Sequence, residues 1–193
     1  MTPSDLNALI RNRRAKYPAT YTGEKVDEQI IQTILENANW APSHKKTEPW
    51  RFVVLKEQAM TRLSEYLAQY YKAKTPPEKF SENKYSKTLR KTELCSHVIA
   101  ICMERDIHES VPEWEEMAAV ACAVQNMWLT CTAHRIGCYW STPKAALDIR
   151  EFLNLPDNQR CLGLFYIGIP KPITLQILGE RGPIEEKVRW LTL

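Results

Sequence analysis

Glycine is scarce in this chain, six residues in 193, and none of the six falls in a GxGxxG, GxxxxGK[ST] or GxSxG spacing. A Rossmann turn, a P-loop and a nucleophile elbow need those spacings, because only glycine lets backbone approach a phosphate or turn so sharply. The sequence supports none of the three. HExxH is missing too, and the cysteines at 95, 102, 122, 131, 138 and 161 include no CxxC pair. The four histidines (44, 97, 108 and 134) are scattered, so no metal site is expected. Four cysteines lie in strongly apolar runs, and all six read as reduced, buried, small hydrophobes rather than a disulfide framework. No window approaches the roughly 18 apolar residues of a membrane span, and residues 1–17 hold no signal-peptide core. The expectation is a cytoplasmic protein with no membrane partner. Neither charge dominates: 26 basic residues against 23 acidic leave +3, too little to point to nucleic acid. A chain without side-chain machinery for hydrolysis, phosphoryl transfer or zinc chemistry would leave the hard step of any reaction to a bound cofactor.

What is present is a series of well-signalled elements. Thr2 caps a first helix with Pro3 at its first position, and Leu6, Leu9 and Ile10 form its apolar stripe, which delivers Arg13 and Arg14 to the helix end. A second helix begins near Asp27, with Ile30, Ile31, Ile34, Leu35 and Ala38 on one face and Pro42 as its stop. RFVVLK (51–56), HVIAICME (97–104), CYWST (138–142) and CLGLFYIGIP (161–170) read as strands. A third helix runs through Leu63, Leu67 and Tyr70. Residues 72–91 carry seven Lys or Arg against two Glu and read as an exposed basic excursion. The stretch from Pro112 to Ile136 is a helix apolar nearly all round, which suits a core or a subunit interface, with Gly137 as its stop. Thr142 and Pro143 open a helix to about Asn154. Helices and strands do not alternate as in a doubly wound sheet, so the class is α+β, one domain over 1–193.

Four sets of residues suit an anion and a flat aromatic ring. They are Arg13 and Arg14 at a helix end; His44, Lys45 and Lys46 on a loop; Trp140, Ser141 and Thr142 beside a helix start; and Arg181 in GERGPIEE. Each has a bland reading. Helix-end arginines ordinarily answer terminal carbonyls, tryptophan is ordinarily core, and loop lysines are ordinarily solvated.

The order of these sets resembles the nitroreductase family, in particular its short YdjA-like branch. The series reads Arg13-Arg14-Ala15, then Ala41-Pro42-Ser43-His44-Lys45 with Pro49-Trp50 before a strand. The long helix, the turn Gly137-Cys138-Tyr139-Trp140-Ser141-Thr142, the strand ending Gly168-Ile169-Pro170, and Arg181 follow. The resemblance implies a nitroreductase-like sandwich, a mainly antiparallel sheet flanked by helices, with FMN at a homodimer interface. It implies a cofactor site of Arg13, Arg14, Ala15, Trp40, His44, Trp140, Ser141, Thr142 and Arg181, His44 coming from the partner subunit. NADH or NADPH would be the reductant and a small organic molecule the acceptor, in ping-pong order, with no catalytic side chain beyond the flavin. Ala15 stands where the family has serine, Tyr17 and Pro18 where a basic residue is common, and Trp40 where the branch has arginine. Divergent relatives leave a reductive dehalogenase or a non-catalytic flavin-binding protein as alternatives.

Overall fold

A computed structural model describes residues 2–172 and 179–192. Chain order gives α1 (Pro3–Asn12), α2 (Glu28–Asn39), β1 (Trp50–Leu55), α3 (Gln58–Lys74) and α4 (Glu82–Leu89). After these come β2 (His97–Glu104), α5 (Glu113–Ala133), β3 (Gly137–Ser141), α6 (Lys144–Leu147), α7 (Arg150–Leu153) and β4 (Gln159–Gly168). The four strands form one antiparallel sheet in the order β1-β2-β4-β3. This is the expected α+β sandwich.

The continuous apolar run of β2 follows from its place: central, with helices on both faces. Ile99, Ile101 and Met103 alternate onto the face covered by α2 and α5, together with Phe165 and Ile167 of β4. Val98, Ala100 and Cys102 alternate onto the opposite face with Leu164 and Tyr166, under α3 and α6. Each fully buried Ile, Leu or Phe in these layers contributes about 1.5–3 kcal/mol.

Tyr21 is fully buried and joins the N-terminal segment to the sheet. Its hydroxyl donates to the Lys16 carbonyl at 2.6 Å, and its ring lies against Gly137 and Gly168, which pair across β3 and β4. Around it the Lys16 N–H donates to Cys138 O at 2.9 Å and the Thr22 N–H to Ile169 O at 2.8 Å. Lys16, four residues past the end of α1, is thereby tied to the start of β3.

Four details differ from the sequence reading. Gly137 does not end α5: Arg135 takes the left-handed position (φ 58°), and Ile136 N–H closes on Cys131 O at 2.8 Å. Glycine is needed two residues later, where the Tyr21 ring leaves no room for a Cβ. Thr142 caps nothing; Pro143 is the N-cap of α6, and the expected helix breaks at Asp148 and Ile149. There the Tyr66 hydroxyl meets the Ala145 and Asp148 carbonyls, at 3.2 and 3.1 Å, so these have a partner outside the helix ladder. Cys122 is exposed, unlike the other five cysteines. Residues 72–91 are largely exposed, as the sequence reading has them, and fold as the end of α3, a 3-10 turn and α4. Tyr71 stacks on Phe80 there, with Lys84 over the Tyr71 ring.

Replacing Gly168 with Ala puts a methyl group into the Tyr21 ring. Overpacking of this kind costs about 1–3 kcal/mol, so urea unfolding of Gly168→Ala should show a midpoint lowered to match. An unchanged midpoint would mean that Tyr21 is not wedged as described.

Candidate functional site

α1 starts with a reciprocal capping box between Thr2 and Asp5, and ends where Arg13, its C-cap, turns extended. Two arginines therefore leave the helix side by side beside β3. Arg14 does what a helix-end arginine ordinarily does: its Nη1 donates to the Arg11 and Arg13 carbonyls at 2.6 and 2.7 Å. That leaves its Nε buried, with no hydrogen-bond partner among the described residues. Arg13 lies over the Trp128 ring of α5, 4.6 Å from its centroid, while the Trp128 Nε1 donates to Arg14 O at 3.2 Å.

The far end of the chain closes on the same place. Gly179 sits so tightly against the Arg14 guanidinium that a Cβ there would collide with it. Arg181 lies close enough to act electrostatically on Arg13. Burial first, then the charges of Arg14 and Arg181, push the Arg13 guanidinium below its ordinary pKa. No carboxylate pairs with any of these three arginines among the described residues. Three cations converge here with no counter-charge among the described residues, a charge pattern that suits an anion.

An aromatic wall adjoins it. Trp128 packs edge-on to Phe165 at 5.8 Å, and Phe165 pairs across the sheet with Trp140. The Trp140 Nε1 is buried and has no hydrogen-bond partner among the described residues. It also passes so close to Gly163 (φ 137°) that a Cβ would lie 2.5 Å from it. β3 is an edge strand, and Cys138 turns its carbonyl outward to Lys16. Strand alternation then puts the backbone N–H and C=O of Trp140 on the same free edge. Ser141 is buried, Thr142 and Ala15 are exposed, and the Tyr17 ring packs tilted against that of Tyr139, with centroids 4.7 Å apart.

The structure thus gathers Arg13, Arg14, Arg181 and the β3 segment, but not every residue singled out in the sequence. His44 Nδ1 lies 2.6 Å from Glu115 Oε2, near the start of α5. Thirteen residues separate Glu115 from Trp128, about 20 Å along the helix. Trp40 is the C-cap of α2 and is 85% exposed. Within one copy of the chain His44 stands well apart from the arginines. Trp128, Glu115, Gly163 and Gly179 were not legible as site residues. A tryptophan on an apolar helix, a glutamate in an acidic helix start and isolated glycines carry no signal until their neighbours are known.

The sequence matches the family model described as Nitroreductase family over residues 10–169. An Escherichia coli (strain K12) protein bearing an NAD(P)H nitroreductase name, YdjA, is 29% identical over 170 residues, 86% of this chain and 88% of that protein. The crystal structure of a nitroreductase-like family protein from Bacillus cereus shares the fold, with TM-score 0.79 and 23% identity. It covers 99% of this chain and 98% of that one. The FMN-dependent nitroreductase NfnB from Mycobacterium smegmatis, solved in complex with NADPH, gives TM-score 0.78 at 19% identity over 98% and 99% of the two chains.

An anion that binds the folded protein alone raises its thermal midpoint by linkage. Phosphate should therefore raise the midpoint above that in chloride at equal ionic strength, by about 2–4 °C for each kcal/mol of binding. Arg181→Ala should lose most of that rise in a thermal melt. The same rise in both proteins would show that the arginines do not act together.

Proposed function

The chain belongs to the nitroreductase family, and from that premise we propose that it is an FMN-dependent oxidoreductase passing hydride equivalents from NAD(P)H to a small organic acceptor, such as a nitroaromatic or a quinone. The observation that carries this reading is the set of uncompensated arginines, Arg13, Arg14 and Arg181, beside an aromatic wall with two buried, unpartnered N–H groups, Arg14 Nε and Trp140 Nε1. A phosphate dianion joined to a flat, hydrogen-bonding ring answers every one of those features. Bound flavin supplies a two-electron carrier that exchanges hydride with both substrates.

The residues then divide the work. Arg13, Arg14 and Arg181 hold the phosphate by charge-assisted hydrogen bonds. The Trp140–Thr142 segment runs along the ring, with the Trp140 backbone on the free edge of β3 available to its polar rim. Lys16, fixed by its N–H on Cys138 O, is the nearest cation after the arginine pair and favours negative charge on the ring's pyrimidine side. Ala15 adds no hydroxyl. No side chain acts as acid or base: the protein orients, supplies positive potential and excludes water. The nicotinamide and the acceptor use one cavity in turn, which makes the kinetics ping-pong.

A second copy completes the site. The face of α5 turned from the core carries Trp114, Met117, Ala118, Ala121, Cys122 and Gln125, all exposed. This stripe is apolar apart from Gln125, and its small central residues let another helix approach closely. Glu115 and Trp128 lie equally far from the midpoint of Ala121 and Cys122. An antiparallel α5 pair about a twofold axis at that midpoint sets the His44 loop of one copy at the level of Arg13 in the other. His44 and the exposed Trp40 then face the cofactor held by the partner, and Trp40 walls the acceptor cavity.

Purified protein should be yellow, with about one FMN per subunit, and anaerobic NAD(P)H should bleach it. A colourless protein that takes up no added FMN refutes the assignment. Arg181→Ala should weaken FMN binding about tenfold or more, the worth of a charge-assisted hydrogen bond. A dimaleimide with an arm of about 10 Å, the spacing of packed helix axes, should couple two copies through Cys122. A dilute sample that yields monomer alone would count against the α5 pairing.

A further inference from the structure

We infer that Glu115 is a positioning residue for the cofactor site, acting through His44; this rests on the reading above, in which His44 meets the flavin bound by the partner copy. The His44 loop is built to hold one geometry. Lys45, Lys46 and Glu48 all have left-handed backbone, at φ 52°, 55° and 44°, though none is glycine. Such conformations persist only where the surroundings over-determine them, and they gather at ligand-binding segments. Three contacts do the determining here. The Lys45 Nζ donates to Ser110 O at 2.8 Å, the Glu48 N–H donates to Ser43 Oγ at 3.3 Å, and His44 Nδ1 pairs with the Glu115 carboxylate at 2.6 Å.

The third contact sets the chemistry that His44 presents. A carboxylate accepts and cannot donate, so Nδ1 carries the proton and the ring plane is fixed by Glu115. One nitrogen, Nε2, is left for a ligand. The His44 side chain is 59% exposed while that of Glu115 is 24% exposed, so the carboxylate supports the ring from behind and leaves its outer edge free. His44 therefore makes a single contact through Nε2 and contributes no second bond from Nδ1. Orienting a ring by a carboxylate on its other nitrogen is how imidazole is aimed in many sites, and loss of the orienting group is felt at the ligand.

The test compares FMN dissociation constants, from flavin fluorescence titration of apoprotein, for Glu115→Ala, Glu115→Gln, His44→Ala and the double variant Glu115→Ala/His44→Ala. Glu115→Ala should weaken FMN binding about 3- to 10-fold, the range of one neutral hydrogen bond. Glu115→Gln keeps an acceptor in place and should stay within about twofold of wild type on the same grounds. In the His44→Ala background, Glu115→Ala should add nothing, a non-additivity that a merely structural role would not produce. Circular dichroism melts of the apoproteins separate loss of folding from loss of positioning. Equal losses in both backgrounds, or an unchanged constant in Glu115→Ala beside a weakened one in His44→Ala, would overturn the role of Glu115 and leave that of His44 intact. An unchanged constant in His44→Ala would overturn both.

Discussion

The arrangement depends on one ring held between two glycines. Tyr21 fills the space where Gly137 and Gly168 lack side chains, and its hydroxyl reaches back to the Lys16 carbonyl. That wedge, with the hydrogen bonds of Lys16 and Thr22 to the ends of β3 and β4, fixes where α1 stops relative to the sheet. Arg13 and Arg14 are placed by it, since both belong to the short stretch between the last turn of α1 and Lys16. A methyl group on either glycine moves the ring, the ring moves the segment, and the segment carries two of the three cations. The functional geometry is thus subordinate to a packing contact on the other side of the backbone.

α5 performs two tasks with two faces. Its core side, with Val120, Ala123, Val124 and Met127, closes over the sheet. Its outer side is nearly as apolar, and its ends carry the two clusters that one copy keeps about 20 Å apart. A helix apolar all round is ordinarily covered on every side, which is the role proposed above for a second copy. Trp128 belongs to both tasks: it packs on Phe165 and supports Arg13.

Much of this was legible in the sequence. Strand β2 was read with its observed bounds, because the six unbroken apolar residues from Val98 to Met103 suit a central strand covered on both faces. The start of α2 was placed near Asp27, and in the structure Asp27 is its cap, with the helix beginning one residue later. The convergence of Arg13 and Arg14 with Arg181 came from the ordered resemblance and not from any local pattern, since 166 residues lie between Arg14 and Arg181. What local reasoning missed was tertiary. Gly137 looked like a helix stop because glycine ordinarily takes the left-handed position, yet Arg135 takes it. The break at Asp148 depends on Tyr66, which reaches it from another helix. Glu115 looked like one more acid at a helix start, and only the fold places His44 beside it.

The scarcity of glycine acquires a different meaning once the backbone is known. Outside the His44 loop, Glu57, Glu109, Arg135 and Asn154 all adopt positive-φ backbone at which glycine would relax steric strain. The glycines themselves are spent elsewhere: Gly137 and Gly168 against Tyr21, Gly163 against Trp140, Gly179 against Arg14. The molecule therefore divides into positions with thermodynamic slack and positions with none. Turns such as the end of α5 offer an engineer room to raise heat tolerance, whereas Gly137, Gly163 and Gly168, set against backbone and the Tyr21 and Trp140 rings, leave little room for enlargement. A drifting lineage of such proteins would vary freely at the first kind of position and stay frozen at the second.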